Sequence, residues 1–216
     1  MAWRENTGDK IQMDTQNNIM DEILLLLQAK TNRELPMEEK CRQTRQAILL
    51  MRQEGMKEHE QYIHAIQSYA VQVGECREGS PDEAKQWLLE WIDSHPEDIE
   101  EIGWCYERLS YVCEKREKDY ENAIGYFHKR IAIIQRIYGE ESDYAGDEFD
   151  VLAEIYAGSG DMKSACSYKE KAVAIYLETR GILQKFPQFL RPIILWGAKS
   201  KARMGIRIRH LFKREK

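Results

Sequence analysis

The chain has 216 residues, 43% hydrophobic and 32% charged, enough for one globular domain or one array of repeats with a sizeable core. Thirteen glycines, five prolines and five cysteines exclude collagen, low-complexity disorder and a disulfide scaffold, and the shortage of breakers favours helices. The net charge of −5 conceals a split: Lys185–Lys216 carries ten basic residues and one acid, Glu215, for +9, whereas the rest carries 22 basic and 36 acidic residues, for −14.

Residues 1–13 are polar and are expected to fray. Asp14 or Thr15 then opens a helix with Ile19, Ile23 and Leu26 on one face. Pro36 starts a second helix at the first-turn position that proline tolerates. It carries Cys41, Thr44, Ile48 and Met51 in line and stops at Gly55. These two make an N-terminal hairpin over 14–56. A third helix holds Tyr62, Ile66, Tyr69, Ala70 and Val73. All these spacings are three or four, the helical period.

Ser80-Pro81-Asp82-Glu83 is a strong helix start. Serine can cap, proline suits the first turn, and the acids suit the positive end of the macrodipole. Trp87, Leu88 and Trp91 form the apolar face, and Pro96 ends the element. The next helix presents Ile102, Cys105, Tyr106, Leu109 and Val112. After a charged loop over 114–119 come Ala123, Phe127, Ile131 and Ile134, with an end near Gly139. A further helix holds Phe149, Leu152, Ala153 and Tyr156. Beyond the turn Gly158-Ser159-Gly160-Asp161 another holds Ala165, Tyr168, Ala172, Ile175 and Tyr176, to Gly181.

Two of these helices correspond at a constant offset of 42. Asp119 matches Asp161, Ala123 matches Ala165, and Tyr126 matches Tyr168. Ala132, Ile133 and Gly139 match Ala174, Ile175 and Gly181. A fixed recurrence across a helix–turn–helix unit is the mark of a helical solenoid, whose units cannot bury their apolar faces alone. The expected fold is all-α, with about three repeat units over 57–181.

The pattern resembles the tetratricopeptide repeat family. Phe149, Leu152, Ala153 and Tyr156 occupy its helix-A positions. Ala165 falls sixteen residues after Phe149, and Ala172 takes the second alanine position, with Lys169 where an aromatic belongs. Ala84, Leu88, Trp91 and Pro96 keep the helix-B spacing, with Trp91 in place of a small residue. Ile102, Cys105, Tyr106 and Leu109 start the next unit in phase with Pro96, and its A-to-B loop is about five residues longer than the family minimum. Arg130 is a further departure. The spacing of 42 looks most like the long-repeat variant of kinesin light chains. The resemblance implies a right-handed superhelix of antiparallel helix pairs whose A helices line a concave groove. Carried over, the groove residues are His64, Gln67, Val71 and Gly74 in the first unit. They are Glu100, Gly103, Glu107 and Ser110 in the second, and Asp147, Asp150, Glu154 and Ala157 in the third.

Several patterns that suggest chemistry fail on geometry. His59 and His64 are five residues apart and so point about 140° apart on a helix, whereas a zinc-protease pair needs a spacing of four. Asp143, Asp147, Glu148 and Asp150 lack the alternate-residue ligands and central glycine of a calcium loop, and acids favour a helix N-terminus in any case. The glycine motifs that cradle phosphates or carry a nucleophile are missing from the sequence. No metal or cofactor is therefore expected, and no catalytic set is found.

The C-terminal segment 182–216 reads as a basic amphipathic helix. Phe189, Ile193, Trp196, Met204, Ile208 and Leu211 form one stripe. Lys199, Arg203, Arg207, His210 and Arg214 form another. The apolar stripe can cap the last repeat, as terminal repeats require. The segment can instead meet an anionic membrane surface, nucleic acid, a protein, or the chain's own acidic groove. The five cysteines (Cys41, Cys76, Cys105, Cys113 and Cys166) fall mostly in apolar stripes without a CxxC pair. With no secretory leader in view, they fit a cytoplasmic protein. The leading expectation is a non-enzymatic scaffold whose acidic groove binds a protein or peptide with a basic segment. The alternative is a nucleic-acid- or membrane-associated regulator acting through the basic tail.

Overall fold

The computed structural model describes the backbone of residues 7–214 and the side chains of residues 18–206. Among the described residues there are nine α-helices and no strand. They are α1 Thr7–Gln28, α2 Met37–Gln53, α3 Glu60–Glu75, α4 Pro81–Ser94, α5 Ile99–Val112, α6 Tyr120–Tyr138, α7 Asp143–Ser159, α8 Met162–Thr179 and α9 Arg191–Arg214. The first opens at Thr7, well before the Asp14 or Thr15 expected from the sequence. Contacts divide the chain into two units, Met1–Trp91 and Ile92–Lys216.

In the first unit the expected stripes are buried: Cys41, Thr44, Ile48 and Met51 on α2, and Tyr62, Ile66, Tyr69, Ala70 and Val73 on α3. Gly55 ends α2 with a positive φ of 72°. Ser80 caps α4 through its Oγ, which accepts from the Glu83 N–H at 3.2 Å. The Tyr69 hydroxyl accepts from the Ser80 N–H at 3.0 Å, and its ring lies 5.3 Å from Trp87, which ties α3 to α4. Gly79 has no substitute here. Its φ is +89°, and a Cβ would lie 2.7 Å from Val73 and 2.8 Å from the Cys41 sulfur. Between α2 and α4, Arg45 holds Glu83 with two hydrogen bonds of 2.8 Å, and Arg52 holds Glu90 at 2.9 Å. Both pairs advance seven residues together, so these alternate helices run parallel, as in stacked helical hairpins.

In the second unit α5 packs on α6, α6 on α7, α7 on α8 and α8 on α9. Asp119 and Asp161 cap α6 and α8 in the same backbone conformation, accepting from Asn122 N–H at 3.1 Å and Ser164 N–H at 3.0 Å. Ala123 and Ala165 are both fully buried. Gly139 and Gly181 both follow their helices at positive φ. The 42-residue correspondence of the sequence is thus a correspondence of structure, and this unit is a helical repeat.

Candidate functional site

The helix α5 is in a different phase relative to α7 from the one the sequence suggested. Tyr106 stacks on Tyr126 with centroids 6.3 Å apart, and Phe149 stacks on Tyr168 at 5.8 Å. Because Tyr126 and Tyr168 are equivalent, Tyr106 is the counterpart of Phe149. A Cβ on Gly103 or on Gly146 would meet Ile133 or Ile175 at 3.3 Å, so these glycines also correspond. Leu109, Ser110 and Val112 then match Leu152, Ala153 and Ile155, all buried. The A-helix offset is 43, one more than the B-helix offset. The extra residue sits in a π-helical turn, Cys113–Glu117, closed by Lys118 at φ 59° and by the Asp119 N–H on the Cys113 carbonyl at 2.9 Å. A π-turn is what one residue inserted into a helix produces. The insertion is therefore one residue, not about five.

This shift moves the second unit's face. Gly103 and Ser110, expected in the groove, are buried. Gly103 lies against Arg130, and the Ser110 hydroxyl donates to the Ala123 carbonyl at 2.7 Å. In the corrected phase the same positions are Trp104, Glu107, Tyr111 and Glu114. Glu107 belongs to both sets.

Trp104 and Asp147, at equivalent positions on α5 and α7, border a recess of about 230 Å³. Its wall includes Tyr138 and Tyr144, whose rings stack at 4.2 Å, together with Ile134, Ile137, Glu100 and Glu148. Its floor is Arg130 of α6, only 5% exposed. The guanidinium lies 4.3 Å from the Trp104 ring centroid and pairs with Glu148 at 3.0 Å and Glu107 at 3.8 Å. Arg130 occupies the position of buried Ala172 in the next repeat, and Gly103 opposite makes room for it. Burial raises the Glu148 carboxyl above the ordinary 4.5, although Arg130 opposes the shift. Asp147 accepts from the Tyr176 hydroxyl at 2.6 Å, and burial together with that carboxylate pushes the phenol well up.

Glu100, Glu107 and Asp147 are therefore gathered around one recess or its floor. Asp150 and Glu154 continue the row along α7, where the helical period places them. The row is not purely acidic, because Lys169 of α8 pairs with Asp150 and Arg180 reaches Asp143 at 3.7 Å. His64 and Gln67 lie on α3 in the first unit, His64 exposed and Gln67 half-buried. His59 precedes that helix and caps it, its Nδ1 accepting from the Gln61 N–H at 3.2 Å. Among the described residues no group of three potential ligands gathers to hold a metal ion. Sequence reasoning missed Trp104, Tyr138 and Tyr144. Trp104 lies two residues before Tyr106, as Asp147 lies two before Phe149, but it was hidden because Ile102, four residues before Tyr106, fits the first core position by period alone.

The basic tail lies on α8. Arg203 pairs with Glu170 at 3.2 Å, Lys199 is half-buried, and Ile206 is buried with Ala153, Ala157, Ala165 and Cys166. The side chains of Arg207 and Arg214 lie outside the described residues. The described part of the stripe expected to cap the repeat faces outward instead, and the side chains of Ile208 and Leu211 lie outside the described residues. Phe189, Ile193, Trp196 and Met204 are all exposed, and Ile206 provides the cap.

No family model matches the chain, and no curated protein matches it. Among solved structures it is similar to "Crystal structure of BtubC (BKLC) from P. vanneervenii", at 14% identity and a TM-score of 0.42, over 92% of this chain and 89% of that one. The class of protein is set by the chain's own internal correspondence: a helical repeat protein.

Proposed function

We propose that the repeats are of tetratricopeptide type, related to the long-repeat variant, and that the chain is a non-catalytic interaction scaffold. Its α5–α7 face takes a basic segment of a partner protein, and one Lys or Arg side chain of that segment enters the recess beside Trp104. The observation that carries this reading is the meeting of three aromatic rings and three carboxylates around one opening. Rings attract a cation through their quadrupole, and clustered carboxylates focus a negative potential on it. Arg130 is already paired with Glu148 and Glu107 and leaves the rim acidic. A reducing compartment fits the five cysteines, all buried and none joined in a disulfide.

The test is titration of the full chain with short Lys/Arg-rich peptides and with matched Gln-containing controls. Basic peptides should bind, and binding should weaken between 0.1 M and 1 M salt as the Debye length shrinks from about 10 to about 3 Å. Asp147→Asn with Tyr144→Ala should lower affinity about tenfold, the effect of losing roughly 1.4 kcal/mol. Equal binding of basic and neutral peptides would sink the proposal.

A further inference from the structure

We propose that the outward face of α9 docks on an anionic lipid surface. The helix carries eight Lys or Arg residues and no Asp or Glu. Its inner side is occupied, since it lies on α8 and seats Ile206 among the alanines of α7 and α8. Its outer side presents Ile193 (62% exposed), Trp196 (69%) and Met204 (61%), with Phe189 (75%) on the turn just before it. The spacing of 193, 196 and 204 keeps these side chains on one face. Lys201 is exposed on that side, and Lys199 is half-buried.

The combination selects the occupant. A nucleic acid would neutralise the charges and leave four large apolar side chains in water. A second copy packed through this face would bring together two helices that are rich in Lys and Arg and carry no Asp or Glu. An anionic bilayer uses both features: the apolar side chains enter the headgroup boundary, tryptophan prefers that level, and Lys199 and Lys201 reach the lipid phosphates. Among the described residues no helix is long and apolar enough to cross a membrane, so the contact is one of the surface.

The full chain is sedimented with vesicles of phosphatidylcholine alone and with vesicles containing phosphatidylserine as well. The expected result is binding about tenfold or more tighter to the anionic vesicles, reduced by salt. Trp196→Ser with Met204→Ser should weaken it about tenfold or more, and so should Lys199→Gln with Lys201→Gln. Phe189→Ser, outside the helix, should weaken binding in the same direction and covers the case in which the helix variant unpacks. No preference for anionic vesicles overturns the proposal. So does binding that the charge variant loses but the apolar variants keep, which is electrostatic adsorption alone. Self-association of the chain that Trp196→Ser with Met204→Ser abolishes, without vesicle binding, assigns the face to a second copy and also overturns it.

Discussion

Replacing Arg130 by methionine tests how the second unit tolerates a charge inside a repeat core. The substitution keeps most of the unbranched stem and removes the guanidinium with its charge, so packing is disturbed less than by truncation to alanine. What remains is Glu148, whose side chain is 13% exposed, without its partner at 3.0 Å. At that distance and an effective dielectric of about 20 the attraction is about 5–6 kcal/mol. Desolvation offsets part of it, and breaking a buried pair from one side typically costs about 3–5 kcal/mol. For a chain of this length that lowers the melting temperature on the order of 10 °C. Adding Glu148→Gln removes the stranded charge, so the double variant should recover at least half of the loss. Circular dichroism with urea unfolding of the wild type, both single variants and the double variant completes the cycle. A loss below about 1 kcal/mol for Arg130→Met, or a double variant no better than the single, would refute the argument that a buried ion pair replaces the alanine of the neighbouring repeat.

Two further outcomes follow from the same geometry. Ala165 is fully buried where α7, α8 and α9 meet, with Ile206 against it; Ala165→Leu should cost about 1–3 kcal/mol through overpacking, read from the urea midpoint. Arg45 holds the Glu83 carboxyl below its ordinary 4.5, so the folded state favours the ionised form. That stability is present above pH 4.5 and is lost as pH falls through the lowered value; Glu83→Gln should therefore flatten the acid limb of the urea midpoint against pH. Glu148 is raised instead, so Glu148→Gln should remove a small loss of stability that appears as pH rises above 4.5.

The B helices were legible in the sequence because their roles demand particular residue types. A cap needs Asp119 or Asp161, a tight contact needs Ala123 or Ala165, and a positive φ suits Gly139 or Gly181. The A-helix phase was not legible, and the reason is local. Ile102 and Tyr106 are one turn apart and both apolar, so each fits the first core position by period alone. Only the partner decides, and Tyr106 is the residue that meets Tyr126. Starting from Ile102 rather than Tyr106 shifted every inferred groove position on α5 by four residues, and made the one residue absorbed by the π-turn Cys113–Glu117 read as a loop about five residues longer. Part of an expected acidic row became Trp104 and Tyr111. The tail shows the same limit in another form. Periodicity establishes that α9 has an apolar stripe, but not that the stripe faces the body. The small side chains of Ala157, Ala165 and Cys166 form the contact that accepts Ile206. The bulkier row of Ile193, Trp196 and Met204 is left outside, and an exposed row of that size on a helix so rich in Lys and Arg calls for a partner of its own.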